Sequence, residues 1–82
     1  LKKNVRLIQL REQHELTQKA LGDIIERNKQ TVYAYETGRK SPGDLIKKTL
    51  ADFFGVTVDY LFFEQLPERM EGQNNGDKSF NK

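Results

Sequence analysis

Between Leu16 and Gly38 the chain reads LTQKALGDIIERNKQTVYAYETG, two apolar patterns of helical period with about three residues between them. The first pattern places Leu21, Ile24 and Ile25 inward, and Thr17 is a plausible N-cap for it. The second runs from an Asn28 cap to about Thr37. It ends at Gly38, the residue type that accepts a left-handed conformation past a helix end. So short a link brings the two helices into contact. That contact needs a small residue on the first helix, and Gly22 supplies it. Leu21, Ile25, Val32 and Tyr35 then fill the angle between them. This is the helix-turn-helix arrangement, whose second helix enters the major groove of DNA.

The second helix has two unlike faces. Val32, Tyr35 and Glu36 fall on one side, and Lys29, Gln30, Tyr33 and Thr37 on another. A glutamate on the core side needs a cationic partner, because an unpaired buried charge is expensive. Arg11 is the candidate. It lies one turn after Leu7, on a stripe of Leu7, Leu10, Arg11 and His14 within a first helix expected over residues 2–14.

After Gly38, RKSPG reads as a loop in which Pro42 fixes a turn and Gly43 caps a fourth helix. That helix, DLIKKTLADFF, carries Ile46, Leu50, Phe53 and Phe54 as its apolar stripe, and Gly55 stops it. VTVDYLFF reads as a short fifth helix with Thr57 as cap and Leu61 inward. Its valines also permit a strand, but no partner strand is in sight. The fold class is all-α, a compact five-helix bundle over residues 1–63. Residues 64–82 are polar, with two glycines and a proline, and are expected to be a disordered tail or linker.

Composition narrows the function. The chain of 82 residues has no cysteine and one histidine, His14, so zinc–thiolate sites and disulfides are excluded and no metal or cofactor is expected. No apolar run approaches the roughly 20 residues that span a bilayer, so a membrane is not an expected partner and a reducing cytoplasm fits. Net charge is +2, unevenly spread. Residues 1–40 hold nine Lys/Arg against five Asp/Glu, a balance that suits a partner made of phosphates. The sequence offers no nucleophile–base pair, paired-carboxylate site or phosphate-binding loop, and an enzyme has little support.

The chain resembles the Cro/repressor-type (XRE-like) helix-turn-helix family of phage and bacterial transcription regulators. The residues that carry the likeness are LTQ at 16–18, AL at 20–21, TV at 31–32, YETG at 35–38, Pro42, and LADFFGVTVDYL at 50–61. The resemblance implies a lambda-repressor-like domain that binds double-stranded operator DNA, usually as a symmetric homodimer. It implies a structural ion pair between Arg11 and Glu36. The base-contacting positions become Lys29, Gln30, Tyr33 and Ala34. Lys29 suits guanine O6 and N7, Gln30 suits adenine N6 and N7, and the Ala34 methyl suits a thymine methyl. Tyr33 offers either a stacking ring or a hydroxyl for phosphate. The phosphate-contacting positions become Thr17, Gln18, Asn28, Thr37, Arg39 and Lys40, with Asn28 a cap first. Lys2, Lys3 and Arg6 are either long-range attraction or merely solvated charge.

Some positions depart from the family pattern. Glu26 stands where glycine is usual in the turn. If it is left-handed it costs about 1–2 kcal/mol; otherwise the turn is remodelled. Arg27 follows where a small apolar residue is common. Asp44 and Lys47 hold positions that are usually apolar, and Leu45 and Ile46 are apolar instead, so the fourth helix is either rotated or uses one of these side chains at a dimer contact. Tyr60, Phe62 and Phe63 are either an interface for a protein partner or a cover for the core. A protein-interaction module of the same fold, such as an antitoxin or a sequestering regulator, is the competing reading. In larger repressors of the family a C-terminal dimerisation domain follows a linker, and the tail from Glu64 is a candidate for such a linker.

Overall fold

The computed structural model describes residues 2–63. Four α-helices follow in order: α1 Val5–Gln13, α2 Gln18–Ile25, α3 Lys29–Thr37 and α4 Asp44–Phe54. A π-helical turn, Asp59–Phe63, closes the described chain. No strand occurs among the described residues. The expectation for residues 64–82 lies outside them.

The helix ends follow from side-chain chemistry. Asn4 caps α1 by accepting from Leu7 N at 3.0 Å, so the helix begins at Val5 and not at the expected residue 2. Thr17 caps α2 through Ala20 N at 3.0 Å, and Asn28 caps α3 through Thr31 N at 2.9 Å. Gly43 precedes α4 without a side-chain cap. Gly38 and Gly55 close α3 and α4 in the left-handed conformation. In the last turn, Thr57 Oγ1 accepts from Tyr60 N at 3.0 Å.

Two non-glycine residues also take positive φ, Glu15 at 57° and Glu26 at 60°. Glu26 is the C-cap of α2, so the turn is left-handed and was not remodelled to suit a glutamate. Glu15 does the same work after α1, where Leu16 N donates to Arg11 O at 3.0 Å. Each position costs about 1–2 kcal/mol relative to an unstrained backbone.

One cluster forms the core: Leu7, Leu21, Ile25, Val32, Tyr35, Leu50, Ala51, Phe54 and Leu61, with Leu10, Leu16, Ile46, Val56, Val58 and Phe62 packed against it. Every helix contributes, so no helix is stable without the others. Gly22 is buried. A Cβ there would collide with the Arg27 carbonyl oxygen and lie 3.3 Å from that of Asn28. The close approach of the turn to α2 therefore depends on glycine.

The expected stripe of α4 needs correction. Leu50, Ala51 and Phe54 are buried, whereas Phe53 is 42% exposed. The inward face runs through positions 47, 50, 51 and 54, at helical spacing. Phe53 sits beside this face, its ring edge-on to Phe54 at 5.0 Å and 6.0 Å from the His14 ring. The helix is therefore not rotated. Lys47 occupies the inward line, and its ammonium group escapes to lie 4.8 Å from the Phe63 ring centroid. Asp44 is exposed in the first turn of α4, where a carboxylate favours the helix dipole.

Candidate functional site

The two faces of α3 part cleanly. Val32, Tyr35 and Glu36 are buried. Lys29, Gln30 and Tyr33 are exposed, Tyr33 by 50%. Ala34 and Thr37 are half-buried at the margin.

The buried face is braced from behind. Arg11 Nε lies 2.6 Å from Glu36 Oε2, with side chains only 14% and 3% exposed. Arg11 Nη2 reaches Glu36 Oε1 at 3.4 Å, and Nη1 donates to Leu16 O at 2.8 Å. Gln18 Nε2 donates to the same Glu36 Oε1 at 3.0 Å. The carboxylate is thus neutralised and its oxygens are satisfied, which is what burying an ion pair requires. The contact spans α1, the start of α2 and the end of α3, and so fixes the tilt of α3 against the bundle. A fourth tie comes from Asn4, whose backbone N–H donates to Glu36 O at 2.8 Å.

The caps at the two helix starts use only acceptor atoms. Thr17 Oγ1 accepts from Ala20 N, which leaves its hydroxyl proton to donate. Asn28 Oδ1 accepts from Thr31 N and from Thr31 Oγ1, both at 2.9 Å. That fixes the amide's orientation and turns its NH₂ away from the helix. Gln18 uses one N–H on Glu36 and holds a second. A phosphate oxygen only accepts hydrogen bonds, so these leftover donors suit it.

Other positions are arranged differently. The Thr37 hydroxyl donates back to Tyr33 O at 2.9 Å and Ala34 O at 3.4 Å, so it would have to rotate to donate outward. Arg39 and Lys40 are exposed just past α3, with backbone N–H groups on Ala34 O at 2.9 and 3.2 Å. At the other end of α3, Lys19, Asp23, Arg27, Asn28, Lys29 and Gln30 line a shallow depression. Lys19 pairs with Asp23 at 3.3 Å there, and Arg27 Nη1 donates to Glu26 O at 2.9 Å.

Tyr60, Phe62 and Phe63 divide between two neighbours. The Arg6 guanidinium lies 3.7 Å from the Tyr60 ring centroid and donates to Tyr60 O at 2.9 Å. Phe62 packs against the core, and Phe63 remains 63% exposed beneath Lys47. Leu45, one of the two apolar residues beside Asp44 and Lys47, is 76% exposed.

Sequence reasoning also missed Asn4 and the second duty of Gln18. Asn4 stands directly before an apolar-periodic run, which is the ordinary N-cap signal. Its side-chain Nδ2 also donates to Leu61 O at 3.1 Å, a contact no local pattern announces. Among the described residues, no cluster of His, Cys, Asp or Glu could hold a metal ion. No described helix is long and apolar enough to cross a membrane.

A family described as helix-turn-helix matches residues 7–61 of the chain. No curated protein and no solved structure matches it.

Proposed function

Because the chain belongs to the XRE-type helix-turn-helix family of DNA-binding transcription regulators, we propose that it is a sequence-specific repressor that reads a pseudo-palindromic operator with α3. The observation that carries this reading is the division of α3. Its apolar and anionic side is buried and ion-paired, while Lys29, Gln30 and Tyr33 stand exposed on the other side. A rigid helix with a polar, donor-rich outer face suits the major groove, where base edges present acceptors and donors in a sequence-dependent pattern.

In this reading Lys29 donates to guanine O6 and N7, and Gln30 makes a bidentate pair with adenine. The Ala34 methyl meets a thymine methyl. Tyr33 packs against the sugar or a thymine methyl, or donates to phosphate. Thr17, Gln18 and Asn28 hold the backbone with the donors their structural duties leave over, and Arg39 and Lys40 add charge past the helix. Thr37 joins them once its hydroxyl turns outward. A pair of such domains places two α3 helices about 34 Å apart, one turn of the duplex.

Selection of duplexes from random DNA, repeated with Gln30→Ala, tests the assignment. The expected result is a dyad-symmetric preference that relaxes at one base pair per half-site in the variant, with about 1–3 kcal/mol of discrimination lost there. An unchanged preference would move recognition to DNA shape. No preference in the parent protein would remove the reading.

Exposed Leu45 and Phe63 favour one second reading, a module that covers a protein partner. A pull-down with and without nuclease separates the two. A partner retained after the nucleic acid is destroyed supports the module.

A further inference from the structure

Lys2 and Lys3 are far in sequence from Lys40, yet the fold brings all three to one cleft. Two bonds from Asn4 hold the segment before α1, one to the end of α3 and one to the last turn. Its N–H donates to Glu36 O at 2.8 Å, and its Nδ2 donates to Leu61 O at 3.1 Å. The Lys2 backbone then passes directly over Gly38. A Cβ on Gly38 would collide with the Lys2 carbonyl oxygen and lie 3.0 Å from Lys2 N. The glycine is thus required twice, for its φ of 84° and for this approach. The cleft formed there is lined by Lys2, Lys3, Lys40 and Ser41 together with Tyr35 and Pro42. No carboxylate lines it.

We propose that this cleft is a phosphodiester clamp, in which Lys2 and Lys3 join Lys40 and Ser41 to hold the DNA backbone flanking the bases that α3 reads. The inference rests on α3 being the reading helix. Three lysines line the cleft and no carboxylate does, so its charge favours an anion, which the Ser41 hydroxyl can also donate to. The major groove is about 12 Å wide and a helix with its side chains about 10–12 Å across. A helix seated in the groove therefore has a phosphate strand at each flank, and a lysine-lined cleft at the end of α3 meets one of them. Arg39, next in the chain and exposed, extends the same cationic edge. The clamp adds affinity and carries no base preference.

The test is a salt titration of the Lys2→Gln/Lys3→Gln variant on a duplex selected by the parent protein, followed by fluorescence anisotropy. Lys47→Gln/Lys48→Gln, on α4, removes equal charge elsewhere. Two lost phosphate contacts lower the log–log salt slope by about 1.8, so between about 50 and 200 mM salt the variant loses roughly tenfold less affinity than the parent. Its base preference stays unchanged, and the α4 variant keeps the parent slope. A Lys2/Lys3 variant with the parent slope, or with the same change as the α4 variant, would overturn the clamp. So would saturation of the Gly38 and Ser41 amide resonances by inorganic phosphate with no further shift on adding duplex, which would make the cleft a free-anion site. If the parent protein binds no duplex at all, the reading of α3 falls as well. If it binds and only the Lys2/Lys3 variant behaves like the parent, the clamp alone falls.

Discussion

Replacing Arg11 with methionine tests how α3 is held. The substitution keeps the bulk of the side-chain stem and removes the guanidinium. Glu36, whose side chain is 3% exposed, then retains one side-chain donor, Gln18 Nε2 at 3.0 Å. Breaking a buried ion pair from one side costs about 3–5 kcal/mol, mostly the penalty of an uncompensated charge. Arg11 is itself 14% exposed, so water can reach the vacated place, and we expect the lower end, about 3 kcal/mol. A domain of this size holds roughly 3–9 kcal/mol in all. The variant should therefore melt roughly 12–24 °C lower, at about 4–8 °C per kcal/mol. Arg11→Met/Glu36→Leu removes both charges and should recover most of the loss, because an apolar pair of similar volume is often neutral or stabilising. Urea and thermal melts of the parent, the two single variants and the double variant form a complete cycle. A single Arg11→Met variant that melts within a few degrees of the parent would refute the reasoning. So would a double variant as unstable as the sum of the two singles.

Glu26→Gly and Glu15→Gly should each stabilise by roughly 0.5–1 kcal/mol, the relieved left-handed strain less the added freedom of the unfolded chain; a lower melting temperature in either would contradict the backbone assignment. Gly22→Ala should destabilise by about 1–3 kcal/mol, because its methyl group meets the Arg27 carbonyl and the turn must shift. Equilibrium urea unfolding checks it, and an unchanged midpoint would mean the turn has slack. Leu50→Ala empties a fully buried site and should cost about 2–5 kcal/mol in the same assay.

The α2–turn–α3 unit was legible because local signals agree there. Thr17 and Asn28 are strong caps, Gly38 is a strong stop, and the apolar spacing is helical on both sides. Glu15 and Glu26 were harder, since nothing in a glutamate advertises a positive φ. Their conformation is imposed by the helices they join. Phe53 was misassigned because hydrophobicity alone ranks it above Ala51. In the fold, the inward line of α4 selects Ala51 for its small size, and the larger ring lies at the rim. For the candidate site, spacing was enough to divide α3 into two faces. The meeting of Gln18 with Glu36, and of Lys2 with Gly38, joins residues far apart in the chain. Such contacts belong to the packed bundle and leave no periodic trace.

Gln18 touches both halves of the molecule's business. One hydrogen of its amide secures the interior carboxylate, and the other is left for the phosphate contact proposed above. Occupancy of the outer position and integrity of the inner one are therefore thermodynamically linked. A genetic screen for lost regulation should return lesions at Arg11 and Glu36 beside those at Gln30, although neither of the first two side chains faces a base. Growth at lower temperature would rescue the former group and leave the latter defective.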